Sequence, residues 1–218
     1  MFFDSRRSSI LATNGMVATS QPLAATTGLR VLMEGGNAVD AAIAAAAALN
    51  VVEPMSTGVG GDMFALVWDN KEKSVRALNG SGRAPAAANI EELTKKGLSA
   101  MPDTGVYSVA TPGTVHGWET LLDSCGTMPL SKLLCPAIDY AENGFPVSDI
   151  ISFQWQQCLG KLSAFPSGTE MLPNGGTPSQ GDFVKLPNLA ATLRAIAEGG
   201  SLAFYNGPIV ENTAAFVQ

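Results

Sequence analysis

The segment from Gly35 to Asn50, GGNAVDAAIAAAAALN, restricts the fold of this chain more than any other stretch. A helix that is apolar on every side is either buried in a large core or spans a membrane. Asp40 and Asn50 interrupt the apolar run, which therefore falls short of the ~18 uninterrupted apolar residues of a spanning helix. We predict a buried helix over Ala38–Val52, packed on several sides, because alanine side chains let neighbouring elements approach closely.

The residues around this helix carry start and stop signals. Pro22 suits the first turn of a preceding helix, which Gly35-Gly36 ends. Asn37 is suited to cap the alanine-rich helix, and the Asp40 carboxylate lies near its amide-rich amino end.

Other elements follow from periodicity and turn signals. Residues 1–218 show no internal repeat or domain boundary, so we expect a single portion of one protein without internal division. The expected elements are a strand at Met16, Val17 and Thr19, a hairpin of MFALVWD and VRALN around NKEKS, a surface helix at NIEELTKKG, helices over Thr114–Ser124 and Leu130–Glu142, a surface excursion over Ser163–Gln180, a helix at LPNLAATLRAIAEGG ending at Gly199-Gly200, and a helix at ENTAAFVQ.

Composition describes a globular protein with a large interior, since 46% of its residues are hydrophobic and 15% are charged. The net charge of −6 and the absence of a basic stripe argue against a nucleic-acid partner. The three cysteines, Cys125, Cys135 and Cys158, form no C-x-x-C pair, and we expect them to be buried and reduced.

The amino terminus, MFFDSRRSSILATNG, has no apolar core of the length that a signal peptide needs. Asp4, Arg6 and Arg7 interrupt it. With no membrane-spanning run in the chain either, the sequence favours a cytoplasmic location and no membrane partner.

The glycine run STGVGGD resembles a dinucleotide loop but differs in spacing and context. The fingerprint G-x-G-x-x-G follows a strand and opens a helix, whereas Gly58, Gly60 and Gly61 lie between a predicted helix and a strand. Two interpretations stay open. The glycines serve a turn with positive φ and close backbone approach, or their amides contact a ligand directly.

Two polar residues are candidates for a binding site. His116 is the only histidine and cannot form a metal site alone, and GSG at Gly80–Gly82 is not a G-x-S-x-G nucleophile elbow. We therefore expect His116 to be structural or on the surface. Arg83 lies in a glycine-rich bend after a strand, where its guanidinium is either solvated or binds a carboxylate bidentately.

Three segments together resemble the γ-glutamyltransferase (γ-glutamyltranspeptidase, glutathione hydrolase) family. The similarity runs in order from about Arg7 to Gln218, and the block GGNAVDAA…VVEP…G-x-GG is its most specific part. The segments are NGMVATSQPLAATTGLRVLMEGGNAVDAAIAAAAALNVVEPMSTGVGGDMFALVWD, SVATPGTVHGWETLLDSCGTMPLSKLLCPAIDYAENGFPVS and LPNLAATLRAIAEGGSLAFYNGPI.

The resemblance implies an α+β fold of the N-terminal-nucleophile hydrolase type, an αββα sandwich, of which this chain is the amino-terminal part of the large subunit. In that family a precursor cuts itself, and the new amino-terminal threonine of the small subunit attacks a γ-glutamyl amide. No metal or organic cofactor is implied. The family's Thr-Thr-His motif does not occur here, since Thr26-Thr27 is followed by Gly28. We therefore expect no catalytic residue in this chain, no activity from it alone, and the small subunit as its partner.

Two site expectations come with the resemblance. Aligning the family's FRE-AP segment on Ala84-Pro85 places Ser81 at the substrate-binding arginine and displaces Arg83 by two residues. Ser81 and Arg83 are thus candidate substrate-binding residues, while Gly58, Gly60 and Gly61 are expected to support the nucleophile-bearing strand. The displacement points to the signal-less, cephalosporin acylase-like subgroup. The alternatives are a cephalosporin or glutaryl acylase and a non-catalytic binding module, and a homo-oligomer is left open.

Overall fold

The computed structural model describes residues 8–217, which form nine α-helices and two small antiparallel sheets. The helices are α1 Pro22–Met33, α2 Ala38–Val52, α3 Ile90–Lys95, α4 Thr114–Cys125, α5 Leu130–Asn143, α6 Asp149–Gln157, α7 Leu159–Ser163, α8 Pro187–Tyr205 and α9 Pro208–Val217. The strands are β1 Met63–Asp69, β2 Ser74–Gly80, β3 Phe145–Pro146 and β4 Phe183–Val184, and short 3-10 turns cover Val106–Ser108, Pro166–Met171 and Pro173–Gly175.

Helix α2 is the centre of the core, as its sequence predicts. It packs against α1, α4 and α5, and α5 in turn packs against α8. Along α2 the side chains of Ile43, Val51 and Val52 are buried, and within the helix only Ala38 and Ala42 are exposed. The alanines permit this close packing, so the helix is apolar all round because it has neighbours on nearly every side.

The amino end of α2 is tied to the turn that precedes α5. Asn37 and Asp40 form a capping box in which each side chain accepts a hydrogen bond from the other's backbone N–H. The buried Asp40 carboxylate also accepts hydrogen bonds from the Thr127 N–H at 2.9 Å, the Thr127 hydroxyl at 2.5 Å and the Met128 N–H at 3.2 Å. One carboxylate thus satisfies donors from two distant segments.

Strands β1 and β2 form the predicted hairpin, with Met63 opposite Gly80 and Asp69 opposite Ser74. One face packs on the core through Met63, Ala65, Val67 and Leu78. The other face is apolar but open. It carries Phe64, Leu66, Trp68 and Val75, which are 66%, 78%, 57% and 60% exposed.

Helix α8 contains a break at Gly200. That residue has φ +64° and ψ −156°, so the regular helix from Pro187 stops there, as the glycine pair predicts. The chain then resumes helical turns up to Tyr205. The break changes the direction of residues 201–205, which lie against the start of α4.

Two features of the local structure differ from the sequence expectations. The strand expected at Met16, Val17 and Thr19 is wrong, because these residues pair with no strand within residues 8–217 and a strand needs a hydrogen-bonded neighbour. Helix α6 was not predicted, although Ser148 caps it and Ile151 and Trp155 anchor it in the core.

The cysteines also differ from expectation. All three are free, but Cys135 is exposed and Cys125 and Cys158 are only half-buried, so the expected burial is wrong. Cys135 lies on the outer side of α5, whose inner side is formed by Leu134 and Ile138. Over residues 8–217, no helix combines the length and apolarity needed to cross a membrane. The prediction about Asp4, Arg6 and Arg7 concerns residues outside the described part.

Candidate substrate-binding site

An open cavity of about 780 Å³ lies where the end of β2, the segment before α4 and the last turn of α8 meet. It brings together Ser81, Arg83 and His116, of which the first two were expected at a substrate site. The lining residues from the three elements are Asn79, Gly80, Ser81, Gly82, Arg83, Thr111, Pro112, Gly113, His116, Ser201, Leu202 and Tyr205.

The bend that carries Arg83 is pressed against the segment before α4 by close backbone contact. Gly82 has φ +73°, and a Cβ there would collide with the Thr111 carbonyl. A Cβ on Gly113 would likewise collide with the Gly80 carbonyl. The Thr111 N–H donates to the Arg83 carbonyl at 3.0 Å. Glycine at both positions is therefore what places Arg83 in the cavity.

Tyr205 holds the opposite wall. Its hydroxyl accepts a hydrogen bond from the His116 N–H at 3.3 Å and donates to the Pro112 carbonyl at 2.9 Å. Burial raises the pKa of the Tyr205 phenol, and the Glu119 carboxylate adds to this, although the hydrogen bond from His116 works the other way. The phenol therefore stays protonated and keeps its donor role. Glu119 also accepts from the Ser201 N–H at 2.7 Å, which fixes the break in α8.

Arg83 is exposed, and its guanidinium has no hydrogen bond or ion pair with any residue in 8–217. No carboxylate belongs to the described lining of the cavity. Ser81 is half-buried, and its hydroxyl donates a long, weak hydrogen bond of 3.4 Å to the Gly82 carbonyl. An anionic ligand would therefore meet an uncompensated guanidinium and a nearby hydroxyl.

The glycine run lies behind this site. Gly58, Gly60 and Gly61 do not line the cavity, and none has positive φ, so the prediction of positive φ is wrong. The predicted turn is present, because the Gly61 N–H donates to the Gly58 carbonyl at 3.0 Å. Support of the nucleophile-bearing strand by these glycines stays a prediction. The Gly61 carbonyl accepts hydrogen bonds from Gly113 at 2.9 Å and Thr114 at 3.1 Å. The run thus supports the start of α4. A Cβ on Gly58 or Gly60 would meet no atom within 4 Å.

The structure confirms that His116 is a surface residue but also places it at the cavity, which the sequence did not indicate. Thr26 and Thr27 are in α1 and donate to the carbonyls of Pro22 and Leu23, as ordinary helix residues. In the described part of the chain, no three His, Cys, Asp or Glu residues are grouped so that they could hold a metal ion.

The chain's family is known from its similarity to other proteins. The family model described as gamma-glutamyltranspeptidase matches residues 24–218, and the chain belongs to this family. It is 37% identical to the glutathione hydrolase proenzyme of Bacillus subtilis (strain 168) over 220 residues, covering 99% of this chain and 38% of that protein.

Two solved structures are similar to it. The cephalosporin acylase from Bacillus halodurans is 42% identical, with a TM-score of 0.91 over 98% of this chain and 41% of that one. The Helicobacter pylori gamma-glutamyltranspeptidase is 32% identical, with a TM-score of 0.88 over 94% of this chain and 60% of that one. The predicted α+β, N-terminal-nucleophile hydrolase fold is confirmed, although residues 8–217 hold only the hairpin and the short β3–β4 pair of strands.

Proposed function

We propose that this chain is the amino-terminal part of a precursor whose processed form cleaves γ-glutamyl amides and transfers the acyl group to water or an amine. The chain spans about 38% of the glutathione hydrolase proenzyme that it matches, so the activity belongs to a longer polypeptide. The observation that carries the proposal is Arg83. It is an unpaired guanidinium within residues 8–217, in an open cavity without a carboxylate, and it suits the α-carboxylate of a γ-glutamyl group.

The proposed chemistry needs a nucleophile from the remainder of the precursor. The motif Thr-Thr-His is not found in these 218 residues. An amino-terminal threonine has an α-amine with a pKa near 7.7–8.0, so one residue supplies both nucleophile and base. The acyl group passes to that threonine as the amide bond breaks, and water or an amine then releases it. In this proposal the present chain binds and orients the acyl group.

The open face of the hairpin supports a partner from the same precursor. Phe64, Leu66 and Trp68 form an exposed apolar row on a two-stranded sheet, which is marginally stable by itself. Apolar rows of this kind cause association unless another element covers them. A self-contained binding module, or a homo-oligomer built on this face, is therefore a weaker proposal than a small subunit. A cytoplasmic location also belongs to the proposal, and cell fractionation tests it.

Expression of the complete reading frame tests the function. We expect a precursor that cleaves itself into two subunits, seen by mass spectrometry, and then releases the aniline from a γ-glutamyl anilide. Mutation of the new terminal threonine to alanine should abolish both steps. A processed protein that leaves γ-glutamyl anilides intact contradicts the proposal.

A second candidate, a glutaryl or cephalosporin acylase, is favoured by one observation. Aligning the family's FRE-AP segment on Ala84-Pro85 would place Ser81 at the substrate-binding arginine, which supports this candidate without testing it. The observation is that the similar Bacillus halodurans protein is named a cephalosporin acylase. Comparing kcat/KM for glutaryl and γ-glutamyl anilides on the same preparation separates the two. A clear preference for the glutaryl group, together with hydrolysis of the side-chain amide of an acylated β-lactam, supports the acylase.

A further inference from the structure

We infer that His116 is a second carboxylate-binding residue of this cavity, which acts with Arg83 to set the preference for acyl groups with an anionic end. The inference rests on the proposed function, because it assigns a ligand contact within the same substrate site. The site residues expected from the sequence, Ser81 and Arg83, both follow β2. His116 adds a residue from helix α4.

The side chain of His116 is exposed and lines the same cavity as Arg83 and Ser81. The backbone of Arg83 is bonded to Thr111, and His116 follows in the first turn of α4. The bend that carries Arg83 is thus bonded to the segment that leads into the helix of His116.

The backbone around His116 is rigid. The His116 N–H is held by the Tyr205 hydroxyl, and the Gly117 N–H donates to the Gly113 carbonyl at 2.9 Å. A Cβ on Gly117 would collide with the Met63 side chain, so this turn lies flat on the hairpin. The backbone of His116 is fixed before a ligand arrives, and only its side-chain torsions must be ordered on binding.

An imidazole presents at least one N–H donor whether neutral or protonated, so the role does not depend on its charge. A carboxylate has two oxygens with about four acceptor sites, enough for a guanidinium and an imidazole at once. The described lining holds no carboxylate to compete for these donors, and the hydroxyls of Ser81 and Ser201 add only neutral partners.

The test uses the self-processed full-length protein and the anilide that the wild type cleaves. His116→Ala should raise KM about tenfold, the loss of one hydrogen bond to a charged group, with kcat within about twofold. His116→Gln keeps an N–H donor and should recover most of that loss. Asp123→Ala, on an exposed part of the same helix away from the cavity, should match the wild type.

A double-variant cycle completes the design. If both residues bind one carboxylate, Arg83→Ala/His116→Ala should raise KM by a factor that differs from the product of the two single effects. Unchanged KM in His116→Ala while Arg83→Ala raises it overturns the inference and leaves the proposed function standing. Failure of His116→Gln to restore KM, or a fall confined to kcat, also overturns it. A wild type that cleaves no acyl anilide contradicts the proposed function itself.

Discussion

Replacing Asp40 by alanine should destabilise the protein strongly, because one buried carboxylate joins two segments. Asp40 accepts hydrogen bonds from Asn37 at 2.8 Å, from Thr127 twice and from Met128, and its residue is 0% exposed. Hydrogen bonds to a charged group contribute about 1.5–3 kcal/mol each but are not additive within a network. Breaking a buried charged network costs ~3–5 kcal/mol, which is the loss of unfolding free energy that we expect.

The same carboxylate makes stability depend on pH. Burial would raise the pKa of the Asp40 carboxyl, but the hydrogen bonds from Thr127, Asn37 and Met128 together lower it below its ordinary value. The stabilisation is therefore complete above the unfolded pKa of about 3.9 and is lost as the pH falls through the lower, folded value. Asp40→Ala should lack this acid-dependent part of the stability curve.

Urea unfolding of the processed protein, followed by tryptophan fluorescence, measures the effect. Trp118 and Trp155 are buried and report on this core. Asp123→Ala removes an exposed carboxylate and should change the unfolding free energy by no more than ~0.5 kcal/mol. An Asp40→Ala variant within ~1 kcal/mol of that control, or with an unchanged acid transition, would refute the reasoning.

Three further predictions concern the site and the glycine run behind it. Arg83→Ala should raise KM about tenfold or more for a substrate with a free α-carboxylate, since a charged hydrogen bond is worth roughly 1.5–3 kcal/mol. Gly82→Ala should cost ~1–3 kcal/mol in thermal unfolding and also raise KM, because its positive φ and the Thr111 carbonyl leave no room for a Cβ. Gly60→Val should impair self-cleavage, measured by gel mobility, if the remainder of the precursor packs over the open space at Gly60.

Each of these variants has a matched control. Arg76→Ala removes an exposed guanidinium from the hairpin and should leave KM unchanged. Gly97 also has positive φ, but a Cβ there would meet open space. The difference between Gly82→Ala and Gly97→Ala therefore measures the cost of the collision at Gly82. Gly176→Val adds the same side chain as Gly60→Val at another open glycine. Equal effects within any pair would contradict the corresponding prediction.

The sequence predicted the elements whose signals are local. The predictions of a buried helix α2, of its Asn37–Asp40 cap and of the hairpin were confirmed. Each of these features depends on residues that are close together in the sequence. The prediction of a strand at Met16, Val17 and Thr19 was wrong, because a strand also needs a partner strand, which these residues alone do not indicate. The prediction of positive φ at Gly58, Gly60 and Gly61 was wrong, because glycine permits that conformation without requiring it.

The candidate site was predicted only in part. Ser81 and Arg83 follow one strand, so a motif was enough to suggest them. The placement of His116 at the cavity involves a hydrogen bond to Tyr205, which lies far along the chain and reaches α4 after the break of α8 at Gly200. No spacing rule connects residues joined in this way, and a lone histidine gave no pattern to follow.

The way Arg83 is held has a consequence for how such sites diversify. Main-chain contacts at Gly82 and Gly113 set the shape of the bend, whereas the side chains of Arg83 and His116 project outward without supporting the core. Exchanging those side chains should thus cost little folding energy. In the proposed function, single substitutions at these two positions should therefore change which acyl group is preferred while the main-chain frame stays as it is.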